Sequence, residues 1–150
     1  MLVLKSEITS SEYQPYYNLY LQRVNSKTTL VQALEQKEEL IDFFTSIPES
    51  KLDFRYQPEK WTPKQILQHL IDTERIFGVR ALRFARNDSS ELPGYDENYF
   101  AEECFSNQRT ITDLLDEYTV VRSSTLHLFK SFNSEAMTRA GKASGGPLSV

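Results

Sequence analysis

The chain has 150 residues, of which 39% are hydrophobic and 25% charged, with a formal net charge of −4 and a pI near 5.3. That length suits one domain around a single core, and the composition excludes a disordered or fibrous protein. The acidic balance argues against a general nucleic-acid binder, which needs a basic surface to neutralise phosphates, and no apolar run approaches the length of a membrane span.

The N-terminus, MLVLKSEITSSEY, turns polar after four apolar residues and is too short for the core of a signal peptide. Cys104 is the only cysteine, so no intrachain disulfide forms and a reducing, cytoplasmic location is expected. Without local support as a nucleophile, Cys104 reads as a small buried apolar residue. From Ser10 to Val24 the chain is rich in tyrosine (Tyr13, Tyr16, Tyr17, Tyr20), with spacings of a short helix or two turns interrupted or initiated at Pro15. Such a stripe reads as packing. After a polar break, a first helix is predicted from about Thr28 to Ile47, where Leu30, Val31, Leu34, Ile41, Phe44 and Ile47 recur at helical spacing. Pro48 ends it, and Glu49 to Lys60 is predicted as an extended link.

The longest helix is predicted over Lys60 to Asp88. Thr62 and Gln65 form a capping box, Pro63 takes the first helical position, and Trp61 with Ile66 makes a hydrophobic staple. At about 100° per residue, Ile66, Leu70, Phe77, Ala81 and Phe84 share one narrow face, flanked by Leu67, Ile71 and Ile76. An arc that wide predicts a helix touched from several sides. Three polar residues, His69, Thr73 and Glu74, lie in or beside it. His69 is then either a satisfied core residue or a ligand aimed inward. Arg75, Arg83 and Arg86 gather on one side as a solvated face, with Arg80 nearer His69.

Asn87 to Asn107 is a crossover of about twenty residues with a short helical patch near Asp96 to Cys104, an unusual length that is often functional. It is long enough to return along a helix of roughly 39 Å, so the next helix is expected to run parallel to the long one. That helix spans about Gln108 to Phe132 with a clean apolar stripe. His127 falls opposite the stripe, as a surface residue. Arg122 projects into it, where an unpaired charge is costly, so it needs a carboxylate: Glu74 first, Asp72 second. The end carries Gly145, Gly146, Pro147, Leu148 and Ser149, a loop predicted to feed another helix. Three amphipathic helices with so wide an apolar face are better covered by four, so a last helix is expected to be missing from these 150 residues.

The run WTPKQILQHLIDTERIFGVRALRFARNDSSELPGYDENYF, then RTITDLLDEYTVVRSSTLHLF and the Gly-Gly-Pro-Leu-Ser-Val ending, resembles the DinB superfamily, specifically the bundles related to bacillithiol transferases, from roughly Tyr13 to Val150. The resemblance implies an all-α, up-down-down-up four-helix bundle, C-terminally incomplete here, and a homodimer. It implies a divalent metal, nickel or zinc, held by one histidine of the second helix and a His-x-x-x-His pair of the fourth. His69 matches the first ligand, and nothing present matches the other two, so this chain is expected to bind metal poorly or not at all. Asp72, Thr73 and Arg80 are the groups expected to line a pocket around His69, with Glu74 and Arg122 as further candidates and Trp61 as a wall. Each also has a structural role open to it: surface charge, helix packing, salt bridge or staple. The implied function is a metal-dependent enzyme in which activated water or thiol attacks a small substrate, by thiol-cofactor transfer or hydrolysis. The alternative is a non-catalytic bundle that binds a ligand or partner in a stress response.

Overall fold

The computed structural model describes residues 3–150. Met1 and Leu2, half of the short apolar start, lie outside the described residues. The chain divides into two compact units, one of Met1–Glu35, Phe77–Tyr95 and Leu126–Val150, the other of Gln36–Ile76 and Asp96–Thr125.

The second unit is built on the first half of the longest helix, α5 (Pro63–Ala85). Its start forms as its residues dictate. The Gln65 amide donates to Thr62 Oγ1 at 3.1 Å while the Thr62 amide donates back to Gln65 Oε1 at 2.9 Å, which satisfies two backbone donors that the helix leaves without partners. Leu67 and Ile71 are completely buried, and they pack with Phe44, Leu114, Tyr118 and Val121 into one core. Each such side chain contributes about 1.5–3 kcal/mol by leaving water.

Phe44 comes from α3 (Glu38–Ser46), which is separate from α2 (Leu30–Glu35) of the first unit. The single helix expected from Thr28 to Ile47 is therefore two. A Thr29–Gln32 capping box opens α2. A fresh start follows at Lys37, whose amide donates to the Glu38 carboxylate, and Glu38 and Glu39 occupy the first turn of α3, where the helix dipole favours anions. The apolar spacing continues across the break, so periodicity alone does not reveal it. The extended link is also corrected: Pro48 precedes a helical turn, α4 (Glu49–Leu52), which buries Leu52.

The crossover carries α6 (Glu97–Glu103), capped by Asp96, whose carboxylate accepts from the Asn98 and Tyr99 amides. Gln65 Nε2 donates to Ala101 O at 2.6 Å and ties α6 to the start of α5. A short 3₁₀ turn, Ser106–Gln108, leads into α7 (Ile111–Lys130), with the Thr110 hydroxyl accepting from the Asp113 amide. Within this unit Gln68 meets Arg109, and Glu74 and Arg75 meet Arg122 and Glu117. Residue numbers rise together along both helices, so α5 and α7 run parallel, as the crossover length predicts.

In the first unit, α1 (Asn18–Leu21) follows a 3₁₀ turn at Pro15–Tyr17, in keeping with the expected short helix or two turns initiated at Pro15. The last turns of α5 end in a Schellman arrangement: Asn87 takes a left-handed φ of 62°, its amide donates to Phe84 O, and the Asp88 amide reaches Arg83 O. After the single turn α8 (Ser134–Met137), the Gly-Gly-Pro segment forms a hairpin of β1 (Ala140–Ala143) and β2 (Gly146–Ser149), correcting the expected loop into a helix. Ser144 and Gly145 both have positive φ, 52° and 79°, the backbone of the tight turn that suits the twist of a hairpin. Leu92 of the crossover pairs alongside Ala143. Phe84, Leu92 and Ala143 close one small core, and Ala81, Ala85, Phe132 and Ala136 another.

Candidate functional site

His69 lies on the second turn of α5 and is half-buried. Its ring centroid is 4.7 Å from that of Trp61, with the planes tilted by 50°. Trp61 thus walls the imidazole, while Ile66, its expected staple partner, is 42% exposed. Thr73 Oγ1 lies 3.4 Å from the ring nitrogens, long for a hydrogen bond. Burial pushes the imidazole below its ordinary value, and the charges of Glu97 and Asp72 only partly offset this. The ring is therefore neutral at pH 7, with a lone pair available to a proton or a metal.

This environment is measurable because Trp61 is the only tryptophan. Protonating an imidazole in ring contact quenches indole emission. A fluorescence titration is expected to show a quenching step with its midpoint below that of free histidine, absent in His69→Gln; a midpoint at or above the free value contradicts the desolvated placement. The same shift links to stability. The unfolded chain takes up this proton first as pH falls, so stability present above the ordinary imidazole value is lost as pH drops through the folded one.

Asp72, one turn on, belongs to a closed polar circuit. Its Oδ1 accepts from Gln68 Nε2 at 3.0 Å, and Arg75 approaches it at 3.8 Å. Arg75 reaches Glu117 at 2.5 Å, Glu117 is bonded by Arg109, and Arg109 Nη1 returns to Gln68 Oε1 at 2.8 Å. Burial pushes Asp72 up, against the pull of Gln68 and Arg75. Burial also acts upward on Glu117, but hydrogen bonds from Arg109 and Arg75 outweigh it and hold this carboxyl low.

Glu74 pairs with Arg122, whose Nη2 and Nε donate to the same oxygen, Oε2, at 2.8 and 3.1 Å. The guanidinium lies 5.4 Å from the Tyr118 ring centre. Burial raises the Tyr118 phenol above its ordinary value. The other Glu74 oxygen, Oε1, is buried without a hydrogen-bond partner.

Arg80 is engaged elsewhere, within the first unit. It is buried, donates from Nη2 to Pro93 O at 3.0 Å and Ser144 Oγ at 2.9 Å, and stands over the Phe77 ring. It pins the crossover to the hairpin turn. His127 is exposed. Cys104 is half-buried, its thiol donating to Ala101 O.

His69, Asp72 and Glu74 thus do not converge. At about 100° per residue, Asp72 is roughly 60° and Glu74 roughly 140° around the helix from His69, and both carboxylates are engaged by other side chains. Among the described residues, no group of three or more His, Cys, Asp or Glu could hold a metal ion. A divalent ion needs three or four such donors, so these residues do not fit one. Sequence reasoning missed the contributions of Glu97 beside His69 and of Arg109 and Glu117 around Asp72, because all three reach the site from other elements. Only the i, i+4 spacings of Gln68 with Asp72 and Arg109 with Asp113 were open to inspection.

A fold of parallel helices joined by a long crossover, with one short hairpin, is that of an all-α four-helix-bundle protein. It is similar to YfiT from Bacillus subtilis, described as a probable metal-dependent hydrolase with an unusual four-helix bundle topology, with a TM-score of 0.66 at 19% identity over 79% of this chain and 70% of that one. The model of the DinB superfamily matches residues 32–150, and the chain belongs to that superfamily. No curated protein matches the sequence. Among the described residues, no helix is long and apolar enough to cross a membrane.

Proposed function

We propose that the chain belongs to a divalent-metal-dependent enzyme, acting on a small molecule by hydrolysis or by transfer of a thiol cofactor, with His69 as one imidazole donor to nickel or zinc. The observation that carries this reading is the half-buried imidazole, kept neutral by desolvation beside Trp61. Membership of the DinB superfamily and the likeness to a protein described as metal-dependent support it. A second copy of the chain is the proposed protein partner, which sedimentation velocity reads directly.

The test is a titration of the chain with Ni²⁺ and with Zn²⁺, followed by Trp61 emission and by bound metal after dialysis. Weak uptake is expected, since no cluster of three donors includes His69 among the described residues, and His69→Ala is expected to abolish it. Equal uptake by wild type and His69→Ala sinks the assignment. The lack of a three-donor cluster among the described residues favours a second reading, a non-catalytic binding bundle. In that case small ligands change Trp61 emission identically with and without metal.

A further inference from the structure

The first unit has an open cavity of about 230 Å³ whose walls include Leu21, Val24, Leu30 and Met137, with Lys5 and Glu12 also lining it. Glu12 is not left to water alone. Its Oε1 accepts from the Thr9 amide at 2.7 Å and from the Thr9 hydroxyl at 2.9 Å. Burial pushes this carboxyl up, but the Thr9 and Ser149 hydrogen bonds outweigh it and hold it below its ordinary value. It is therefore anionic at neutral pH.

Among the described residues, the ion pairs include neither Glu12 nor Lys5. The two do not pair with each other, so the cavity lining, mostly apolar, carries an anion and a cation that no ion pair among the described residues joins. A site of that kind, mostly apolar with a few polar groups that set orientation, is the usual form of a small-molecule pocket. Its volume limits the ligand: at about 30 Å³ per water-sized group it holds roughly eight such groups, below the range of drug-sized sites.

We propose that this cavity binds a free hydrophobic α-amino acid of the size of leucine or methionine, its ammonium on Glu12, its carboxylate on Lys5 and its side chain between Leu21, Val24, Leu30 and Met137. The charge pattern selects the class. A fatty acid leaves Glu12 facing a carboxylate or a methyl group, an alkylamine leaves Lys5 without an anion, and a polar amino acid buries a second charge against the aliphatic walls.

The test is isothermal titration of the chain with L-leucine and L-methionine, with 4-methylvalerate, 3-methylbutylamine and L-aspartate as comparators. Saturable binding of the first two and at least about tenfold weaker binding of all three comparators is the expected result, as each loses a charge-assisted contact or buries a charge. Glu12→Gln, which keeps an acceptor for Thr9, and Lys5→Met are each expected to weaken L-leucine binding by about tenfold or more. Ala33→Phe, which fills the cavity lined in part by Ala33, is expected to remove it; if that variant does not fold, the two charge variants decide. The proposal is overturned by any of three results: no saturable binding of L-leucine or L-methionine, 4-methylvalerate binding as well as L-leucine, or an L-leucine affinity unchanged in Glu12→Gln and Lys5→Met.

Discussion

Replacing Arg122 with methionine is expected to cost about 3–5 kcal/mol of stability. The side chains of Arg122 and Glu74 are only 20% and 10% exposed, and one oxygen of Glu74 already lacks a partner. Removing the guanidinium leaves a carboxylate in a place where neither water nor a donor compensates it. The double variant Glu74→Leu with Arg122→Met is expected to recover most of the loss, because apolar groups of similar size fill the same space without a desolvation penalty. Urea unfolding followed by circular dichroism measures both. A loss under about 1 kcal/mol in the single variant places the pair with ordinary surface ion pairs.

The second large effect is at Gly141. A Cβ built there falls 2.8 Å or less from three carbons of the Phe84 ring, and Phe84 is 1% exposed within the small core it shares with Leu92 and Ala143. The ring has nowhere to retreat, so Gly141→Ala is expected to cost about 1–3 kcal/mol by overpacking. Shrinking the ring with Phe84→Leu in the same chain is expected to return part of it. Gly78, in the interior of α5, is the control, since nothing lies within 4 Å of a Cβ there. Gly78→Ala is expected to stabilise the helix by up to about 1 kcal/mol. Thermal unfolding that ranks the two alanine variants in the opposite order contradicts this account of the packing.

What could be seen in the sequence was whatever is decided over three or four residues. The Thr62–Gln65 box and the Asp96–Cys104 patch are local, and both form. The Arg122–Glu74 pair was legible for another reason: a cation in the middle of an apolar stripe demands an anion, and few candidates exist. The break at Lys37 was hidden because the apolar spacing runs on through it, while the competing signal, two glutamates favouring a new N-terminus, is weak on its own. The hairpin was hidden because Ser144 is an uncommon choice for a left-handed turn position, and strands of four residues carry almost no period. At the candidate site, Trp61 fitted the template of a staple, yet its ring went to His69 instead. Which of two neighbours on a helix an aromatic ring chooses is settled by tertiary packing that the spacing of residues along one helix does not encode.

The circuit of Gln68, Asp72, Arg75, Glu117 and Arg109 closes on itself. Take away one of the five, and the other four remain an open string in which every charge keeps a neighbour. The ion pairs of the circuit are partly exposed and individually weak, so its worth is redundancy. Point changes along this seam can accumulate one at a time without any single loss stranding an ion, while the facing turns of the two helices remain in step. Glu74 has no such understudy for its buried oxygen, and there drift in the sequence is expected to be least forgiving.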